Sequence, residues 1–346
     1  MKKAIVLLLV MTIITTMALT GCGKTEEAVA PVEGEKDALK VGLVVAGGLG
    51  DRSFYDSSNE GIEKAKEELG IEAKVFECRN DASLFNDQLI QASQYASVVV
   101  VVGFEFYDAI QEVAAEFPDV KYIYVDNVVE GISNITCIDY MENEGSFLAG
   151  ALAAMLTQDK NIEGMNEEKI IGMVGGMDIP VIRNFKVGYE QGAKYIDPEI
   201  KVETIFAGDF EDPAKGKESA LALYAKGVDV IFSVAGKTGE GVFEAAKDSK
   251  AYAIGVDSDQ RYINPDAIVA SMIKGVGLSI YESIQRIQDG TFETGKVYKY
   301  GIKENGVKMG YGTADMKQFV TDDMRAKLEE IQEKIVNGEI QVDEVK

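Results

Sequence analysis

The chain has 346 residues, of which 46% are hydrophobic and 27% charged, with a formal net charge of −23 and no histidine. This composition is typical of a globular protein large enough for two domains, while the excess of acid makes nucleic acid and anionic lipid surfaces poor partners. Because histidine is the commonest general acid or base and the commonest metal ligand, we predict no metal, no cofactor and no enzymatic activity.

The N-terminus has the pattern of an export signal. A positively charged start at residues 1–3 precedes an apolar run, residues 4–19, that is shorter than the roughly 20 residues of a membrane-spanning helix. Leu19-Thr20-Gly21-Cys22 resembles the lipobox of bacterial lipoproteins, which implies removal of residues 1–21 and lipidation of Cys22. A plain cleaved signal beside an unrelated cysteine is the alternative. Cleavage would remove two lysines and no acid, leaving a net charge near −25.

Residues 22–39 are polar and acidic and lack apolar periodicity, so we predict a flexible tether there. Beyond the tether, short apolar runs alternate with helical patterns, which indicates a parallel sheet with crossover helices. The first series has strands at 40–46, 71–77, 97–102 and 122–125, and helices at 57–69, 84–95 and 106–117. A helix at 142–156 follows, and its alanines and glycines predict close helix packing.

The alternation then restarts. The second series has strands at 169–174, 201–206, 228–233 and 252–256, and helices at 183–195, 213–226 and 239–247. Two tandem series predict an α/β fold of two doubly wound lobes with a hinge, like the type I periplasmic binding proteins. We assign 40–157 to lobe 1 with 252–290 crossing back to it, 158–251 to lobe 2 with 291–320, and 321–346 to a C-terminal helix and tail.

In such sheets, ligands bind outside the carboxyl ends of the strands. The residues directly after the predicted strands are 51–56, 103–104, 126–127, 175–178, 209–210, 236–237, Asp257 and Lys274. They supply carboxylates, amides, glycines, lysines and aromatic rings, but neither thiol nor imidazole. This set suits recognition of a neutral polyol with an aromatic group and is poorly suited to covalent catalysis.

The same stretches carry a family resemblance. The distinctive motif is Glu-Gly-Ser-Phe-Leu-Ala-Gly at residues 144–150. Further matching stretches are Gly-Asp-Arg-Ser-Phe at 50–54, Asp126-Asn127, Gly175-Gly176 with Pro180 and 185–188, Gly-Asp-Phe-Glu-Asp-Pro-Ala-Lys-Gly at 208–216, Gly-Val-Asp at 255–257 and Ser-Met-Ile-Lys at 271–274. From about residue 40 to residue 314 the chain resembles the basic membrane protein family of lipoproteins, the purine nucleoside receptors of ABC importers.

The resemblance implies a role for each matching residue. Phe54 and Phe210 would stack on the two faces of the base, and Asp51 would accept hydrogen bonds from base N–H groups. The ribose hydroxyls would be held by Asp126, Asp257, Lys274 and the backbone at Gly236. It also implies a lipid-anchored location on the outer face of the cell membrane, with the permease and ATPase subunits on other chains.

Two features leave alternatives open. The family usually has asparagine after the first aromatic residue, whereas this chain has Tyr55, which could add stacking area or leave the polar contact to Asp56. Asp51 and Asp126 could instead cap turns or helices, a common role for aspartate after a strand. Lys274 follows a buried-looking run, so we expect an acid such as Asp257 to pair with it.

Other functions and pairings also fit parts of the sequence. A receptor for a sugar or signalling molecule would have the same two lobes, and a surface interaction lipoprotein would have the same anchor. A nucleoside hydrolase using bound calcium would need acids clustered at ligand spacing, which the separate strand ends do not supply.

Cys78 and Cys137 are predicted to be two separate buried thiols, with a disulfide as the alternative.

Overall fold

The computed structural model describes residues 38–166 and 168–345. Residues 38–345 belong to one compact unit. The predicted signal peptide at 1–21, the lipidated Cys22 and nearly all of the predicted tether at 22–39 lie outside the described residues. No helix in the described ranges is long and apolar enough to cross a membrane.

The chain begins with a strand–helix alternation that forms the first lobe. Its elements are β1 (Lys40–Val45), α1 (Phe54–Leu69), β2 (Glu72–Glu77), α2 (Phe85–Tyr95), β3 (Val98–Val102), α3 (Tyr107–Glu116), β4 (Lys121–Val125) and β5 (Ile135–Tyr140). β3 consists of five buried valines, as expected for a parallel strand with both faces covered.

The alternation resumes in the second lobe. Its elements are α4 (Glu142–Thr157), β6 (Ile170–Gly175), α5 (Pro180–Ile196), β7 (Lys201–Phe206), α6 (Pro213–Tyr224), β8 (Val230–Val234), α7 (Gly239–Ser249), β9 (Tyr252–Asp257) and β10 (Ile268–Lys274). The chain ends with α8 (Val276–Gln288), β11 (Val297–Tyr300), β12 (Val307–Gly310) and α9 (Asp322–Val336).

Two six-stranded sheets organise these elements, in the orders β11-β5-β4-β3-β1-β2 and β12-β10-β9-β8-β6-β7. All pairings are parallel except that of β12 with β10. Apolar side chains cover both faces of each sheet. In the first lobe, α2 and α3 pack on one face and α1 and α8 on the other. In the second lobe, α4, α5 and α9 pack on one face and α6 and α7 on the other. The predicted α/β fold with two doubly wound lobes is therefore confirmed.

The chain crosses between the lobes at three places: after β5, after β10 and between β11 and β12. The predicted membership of several segments was wrong. Of residues 252–290, which were predicted to return to the first lobe, β9 and β10 pair in the second sheet, and only α8 packs on α1 in the first lobe. β11 joins the first sheet, and α4 packs on α5 in the second lobe. Periodicity identifies a strand but not its partner, which is why these assignments failed.

Small residues allow α4 and α5 to pack closely. A Cβ on Gly150 of α4 would overlap the backbone carbonyl of Tyr189, and one on Gly192 of α5 would overlap that of Phe147. The predicted packing role of the small-residue face is therefore confirmed.

Cys78 and Cys137 are buried free thiols, as expected.

Candidate ligand-binding site

A cleft between the two lobes lies at the carboxyl ends of the strands. It encloses about 640 Å³, counting the part open to solvent, which is within the size range of small-molecule sites. All eight residues proposed from the sequence line it: Asp51, Phe54, Tyr55, Asp126, Phe210, Gly236, Asp257 and Lys274. The structure therefore brings all the proposed residues to one cleft, and their contact with a ligand remains a prediction.

Lys274 forms the centre of a buried ion cluster at one end of the cleft. Its ammonium donates to Asp126 Oδ1 and lies 3.2 Å from Glu142 Oε1, and its side chain is 2% exposed. These two acids, rather than the expected Asp257, form its ion pairs. Burial alone would lower the pKa of Lys274, but Asp126, Glu142 and Asp257 outweigh this effect and raise it. The lysine therefore stays charged at neutral pH.

Burial raises the pKa of Glu142 and of Asp257 in this cluster. Burial raises the pKa of Glu142 well above its usual range, against the opposing effect of Lys274. It also raises the pKa of Asp257 to about 6, although Lys274 and the Ser53 hydroxyl favour the charged form. We name this group, Lys274 with Asp126, Glu142 and Asp257, the Lys274 end of the cleft.

Asp126 and Asp257 both occupy left-handed backbone conformations at the ends of β4 and β9, with φ of 70° and 66°. Aspartate tolerates this region better than most residues, and strained backbone is common at binding sites. Asp257 Oδ2 accepts a hydrogen bond from the Ser53 hydroxyl of the other lobe. This contact ties the first turn of α1 to the second sheet.

Asp51 organises the start of α1. Its carboxylate accepts backbone N–H bonds from Ser53, Tyr55 and Asp56 at 2.9–3.0 Å. The capping role considered from the sequence is therefore present, and the same side chain also lines the cleft. Asp56 accepts from the backbone of Gly50 and Arg52 instead of lining the cleft, so it holds the preceding loop in place.

Aromatic rings reach the cleft from both lobes. Phe54 belongs to α1 in the first lobe, and Phe210 follows β7 in the second. A Cβ on Gly176 would overlap the Phe210 ring, so glycine there allows the ring to lie against the backbone. Phe54, Phe185 and Tyr140 surround the Lys274 ammonium, with ring centroids 4.8–5.5 Å away. Cation–π attraction therefore adds to the ion pairs.

Tyr55, Glu105 and Glu211 form a second part of the cleft lining, which we name the Tyr55 end. Tyr55 is buried, and burial together with Glu105, Asp51 and Glu211 raises its pKa well above the usual range, so its hydroxyl stays protonated. Burial also raises the pKa of Glu211, although Lys237, 3.7 Å away, and Asn80 oppose the shift. This end is rich in hydrogen-bond acceptors.

Several lining residues were not proposed as site residues from the sequence. Glu105, Glu211, Lys237 and Phe185 line the cleft, and Glu142 lies behind Lys274. Glu105 and Glu211 come directly after strand-end positions that were named, so a wider window would have included them. Other strand-end acids are used elsewhere: Asp178 pairs with Arg183 at 2.7 Å and Asp209 with Lys215 at 3.1 Å.

Further contacts join the two lobes. Ser258 Oγ and Gln260 Nε2 both donate to the Arg52 carbonyl, at 3.1 and 2.9 Å, and the Arg52 side chain lies 3.6 Å from Glu240. Within the described ranges, no group of three or more acids or cysteines is arranged to hold a metal ion. The cleft is therefore lined by side chains of both lobes, and direct contacts join the lobes beside it.

Comparison with known proteins agrees with this arrangement. A family model described as "ABC transporter substrate-binding protein PnrA-like" matches residues 38–346. The chain belongs to this family. The resemblance noted in the sequence is thus confirmed, and the function is substrate binding for ABC transport, with permease and ATPase subunits as the partners that this class of protein serves.

Individual relatives support the same conclusion. Basic membrane protein A of Borreliella burgdorferi is 32% identical over 308 residues, covering 87% of this chain and 86% of the relative. The ABC transporter nucleoside-binding protein BmpA of Lactococcus lactis is 30% identical, covering 99% of both chains. A solved ABC transporter solute-binding protein from Aeropyrum pernix has a TM-score of 0.79 and 28% identity, covering 88% of this chain and 92% of that one.

Proposed function

We propose that this substrate-binding protein captures a nucleoside, with a preference for purine nucleosides, between its lobes. The observation that carries the proposal is the arrangement of Phe54 and Phe210, which line one cleft from opposite lobes, with the hydroxyl-binding chemistry of Asp126, Asp257 and Lys274 in the same cleft. Flat rings stack on bases, and charged groups bind hydroxyls strongly. The 30% identical relative named as nucleoside-binding supports the same ligand class.

The charge of the cleft favours an unphosphorylated ligand. Acid side chains that line or adjoin it are Asp51, Glu105, Asp126, Glu142, Glu211 and Asp257, against the two lysines Lys237 and Lys274. Lys274 is already paired with two of these acids. A nucleotide phosphate would therefore meet an excess of negative charge, so we expect nucleosides to bind and their monophosphates to bind weakly.

Calorimetry with nucleosides, free ribose, a hexose and nucleoside monophosphates tests this function. Asp257→Ala should weaken nucleoside binding by about 1.5–3 kcal/mol, the range for one hydrogen bond to a charged group. Asp266→Ala is the matched control, since this aspartate is exposed in the loop between β9 and β10. Tight binding of the hexose alone would identify a sugar receptor, and equal affinities of the two variants would contradict the role of Asp257.

We further propose that lipid on Cys22 anchors the protein to the outer face of the cell membrane. The basis is the lipobox spacing of Leu19-Thr20-Gly21-Cys22, because two acyl chains on one cysteine are enough for stable anchoring. Cys22→Ala should move the protein from the membrane fraction to the soluble fraction, with Cys78→Ala as the control. Retention of the Cys22 variant at the wild-type level after fractionation would contradict the anchor.

A further inference from the structure

The carboxylate of Glu105 is held in the cleft by the loop that follows β3. This loop turns at Gly103, whose φ of 126° favours glycine, and continues as a single turn of 3-10 helix at Phe104–Phe106. A Cβ on Gly103 would lie 2.6 Å from Glu105 Oε2, so the side chain folds back over this glycine. Glu105 is thereby placed beside Tyr55 and lines the cleft.

The Oε2 atom of Glu105 is buried, and no donor among the described residues bonds to it. The other cleft acids differ in this respect. Asp51 accepts three backbone N–H bonds, Asp257 accepts from Ser53, and Lys274 pairs with its two acids. Native proteins satisfy most buried polar atoms, so an unbonded carboxylate oxygen on a residue that lines the cleft points to a donor on the ligand.

The surroundings of Glu105 specify what kind of ligand group fits. Burial raises the pKa of Glu105, only partly offset by its own backbone amide, and Asp126 raises it further. Glu211 adds a second carboxylate near Tyr55. A ligand carbonyl at this place would meet acceptors, whereas an N–H group would supply the missing donor. Phe54 and Phe210 directly precede Tyr55 and Glu211 in the chain, so the base would lie next to this end.

We propose that Glu105 is a specificity-determining residue that accepts a hydrogen bond from an amino group on the base of the ligand. This inference rests on the proposed nucleoside-binding function and narrows it to nucleosides whose base carries an exocyclic amine. The Tyr55 hydroxyl, which stays protonated, is one donor beside these acceptors, and the Lys237 ammonium, 3.7 Å from Glu211, is another.

Two matched ligand pairs test the proposal on the full mature chain. Guanosine differs from inosine by the 2-amino group, and adenosine differs from purine riboside by the 6-amino group. At least one aminated nucleoside should bind about 10- to 100-fold more tightly than its partner, the ratio that one hydrogen bond to a charged group supports. Glu105→Met should reduce this ratio to near one, and Glu105→Gln should reduce it in part, because a neutral amide oxygen accepts more weakly.

Glu116→Gln, an exposed acid at the end of α3, is the control and should keep the wild-type ratio. Thermal unfolding shows whether each variant folds. If a Glu105 variant does not fold, the affinity ratios of the two ligand pairs on the wild-type protein decide whether an amino group is recognised. Equal affinities within both pairs, or an unchanged ratio in folded Glu105→Met, would overturn this inference alone. If no nucleoside binds the wild-type protein, the proposed function fails, and this inference fails with it.

Discussion

The two ends of the cleft balance their charges in different ways. At the Lys274 end, one buried ammonium is bonded to Asp126 and Glu142 and enclosed by three aromatic rings. At the Tyr55 end, Glu105 has an unpartnered oxygen among the described residues, and the partners of Glu211 are Asn80 and Lys237, the latter 3.7 Å away. The first end is internally satisfied, while the second leaves acceptor capacity for a ligand.

Because of this difference, we expect the Lys274 end to contribute to folding stability and the Tyr55 end to contribute to ligand specificity. Removing one member of a satisfied buried cluster leaves the other charges without compensation, so changes at the Lys274 end should affect folding as well as binding. Changes at the Tyr55 end remove an acceptor that has no protein partner, so they should affect ligand choice with little effect on folding. Measurements of stability, of ring coupling and of pH dependence test whether the two ends differ in this way.

The largest effect is expected for Lys274→Met. It keeps the side-chain volume but leaves Asp126 and Glu142 buried without their cation, so the free energy of unfolding should fall by about 3–5 kcal/mol. Urea denaturation measures this loss, and Lys308→Met on β12, where the lysine is exposed, is the control. Adding Asp126→Asn should recover part of the loss, because it removes the carboxylate to which the ammonium donated. Wild-type stability in the single variant would show that the cluster is not a stabilising unit.

A smaller effect is expected for Phe54 and Phe210, whose rings line the cleft from opposite lobes. Phe54→Leu and Phe210→Leu should each weaken nucleoside binding by about 1–3 kcal/mol, the range for base–aromatic stacking. The double variant should lose less than the sum, since a base needs both faces to be sandwiched. A double-mutant cycle by calorimetry, with Phe292→Leu as the control, measures the coupling, and scattering measures lobe closure. Strictly additive losses would mean that the base does not lie between the rings.

The smallest effect concerns pH. The pKa of Asp257 is raised to about 6, so its carboxylate loses its charge as the pH falls through that value. Nucleoside affinity should therefore fall as the pH drops from 7.5 to 5, roughly tenfold at one unit below the pKa. Asp257→Asn should flatten this dependence, measured by titration across the pH range.

Stability should change in the opposite direction for the same group. A carboxyl whose folded pKa lies above its usual value stabilises the fold when protonated and loses that contribution as the pH rises through 6. Asp229, whose pKa burial also raises to about 6, lies outside the cleft and is the matched control. Asp229→Asn should alter the pH dependence of unfolding while leaving that of binding unchanged. A shift in the binding profile of this control would mean that Asp257 does not set it.

The architecture and eight of the residues that line the cleft follow from the sequence alone. Apolar runs and helical periodicity identified the βα alternation, since a strand covered on both faces is apolar throughout and a helix repeats its buried face every 3.6 residues. Because parallel strands all end at one edge, the strand-end rule also identified Asp51, Asp126, Asp257 and Lys274 from their positions in the chain.

Long-range contacts decided what periodicity does not encode. Pairing between distant segments places β9 and β10 in the second sheet, and packing between distant segments places α4 in the second lobe. The same holds for the partners of Lys274: Glu142 lies 132 residues away along the chain, and only the crossover after β5 brings it to the cleft. The fold-back of Glu105 over Gly103 is likewise invisible in sequence, because a strand-end position does not specify the direction of its side chain.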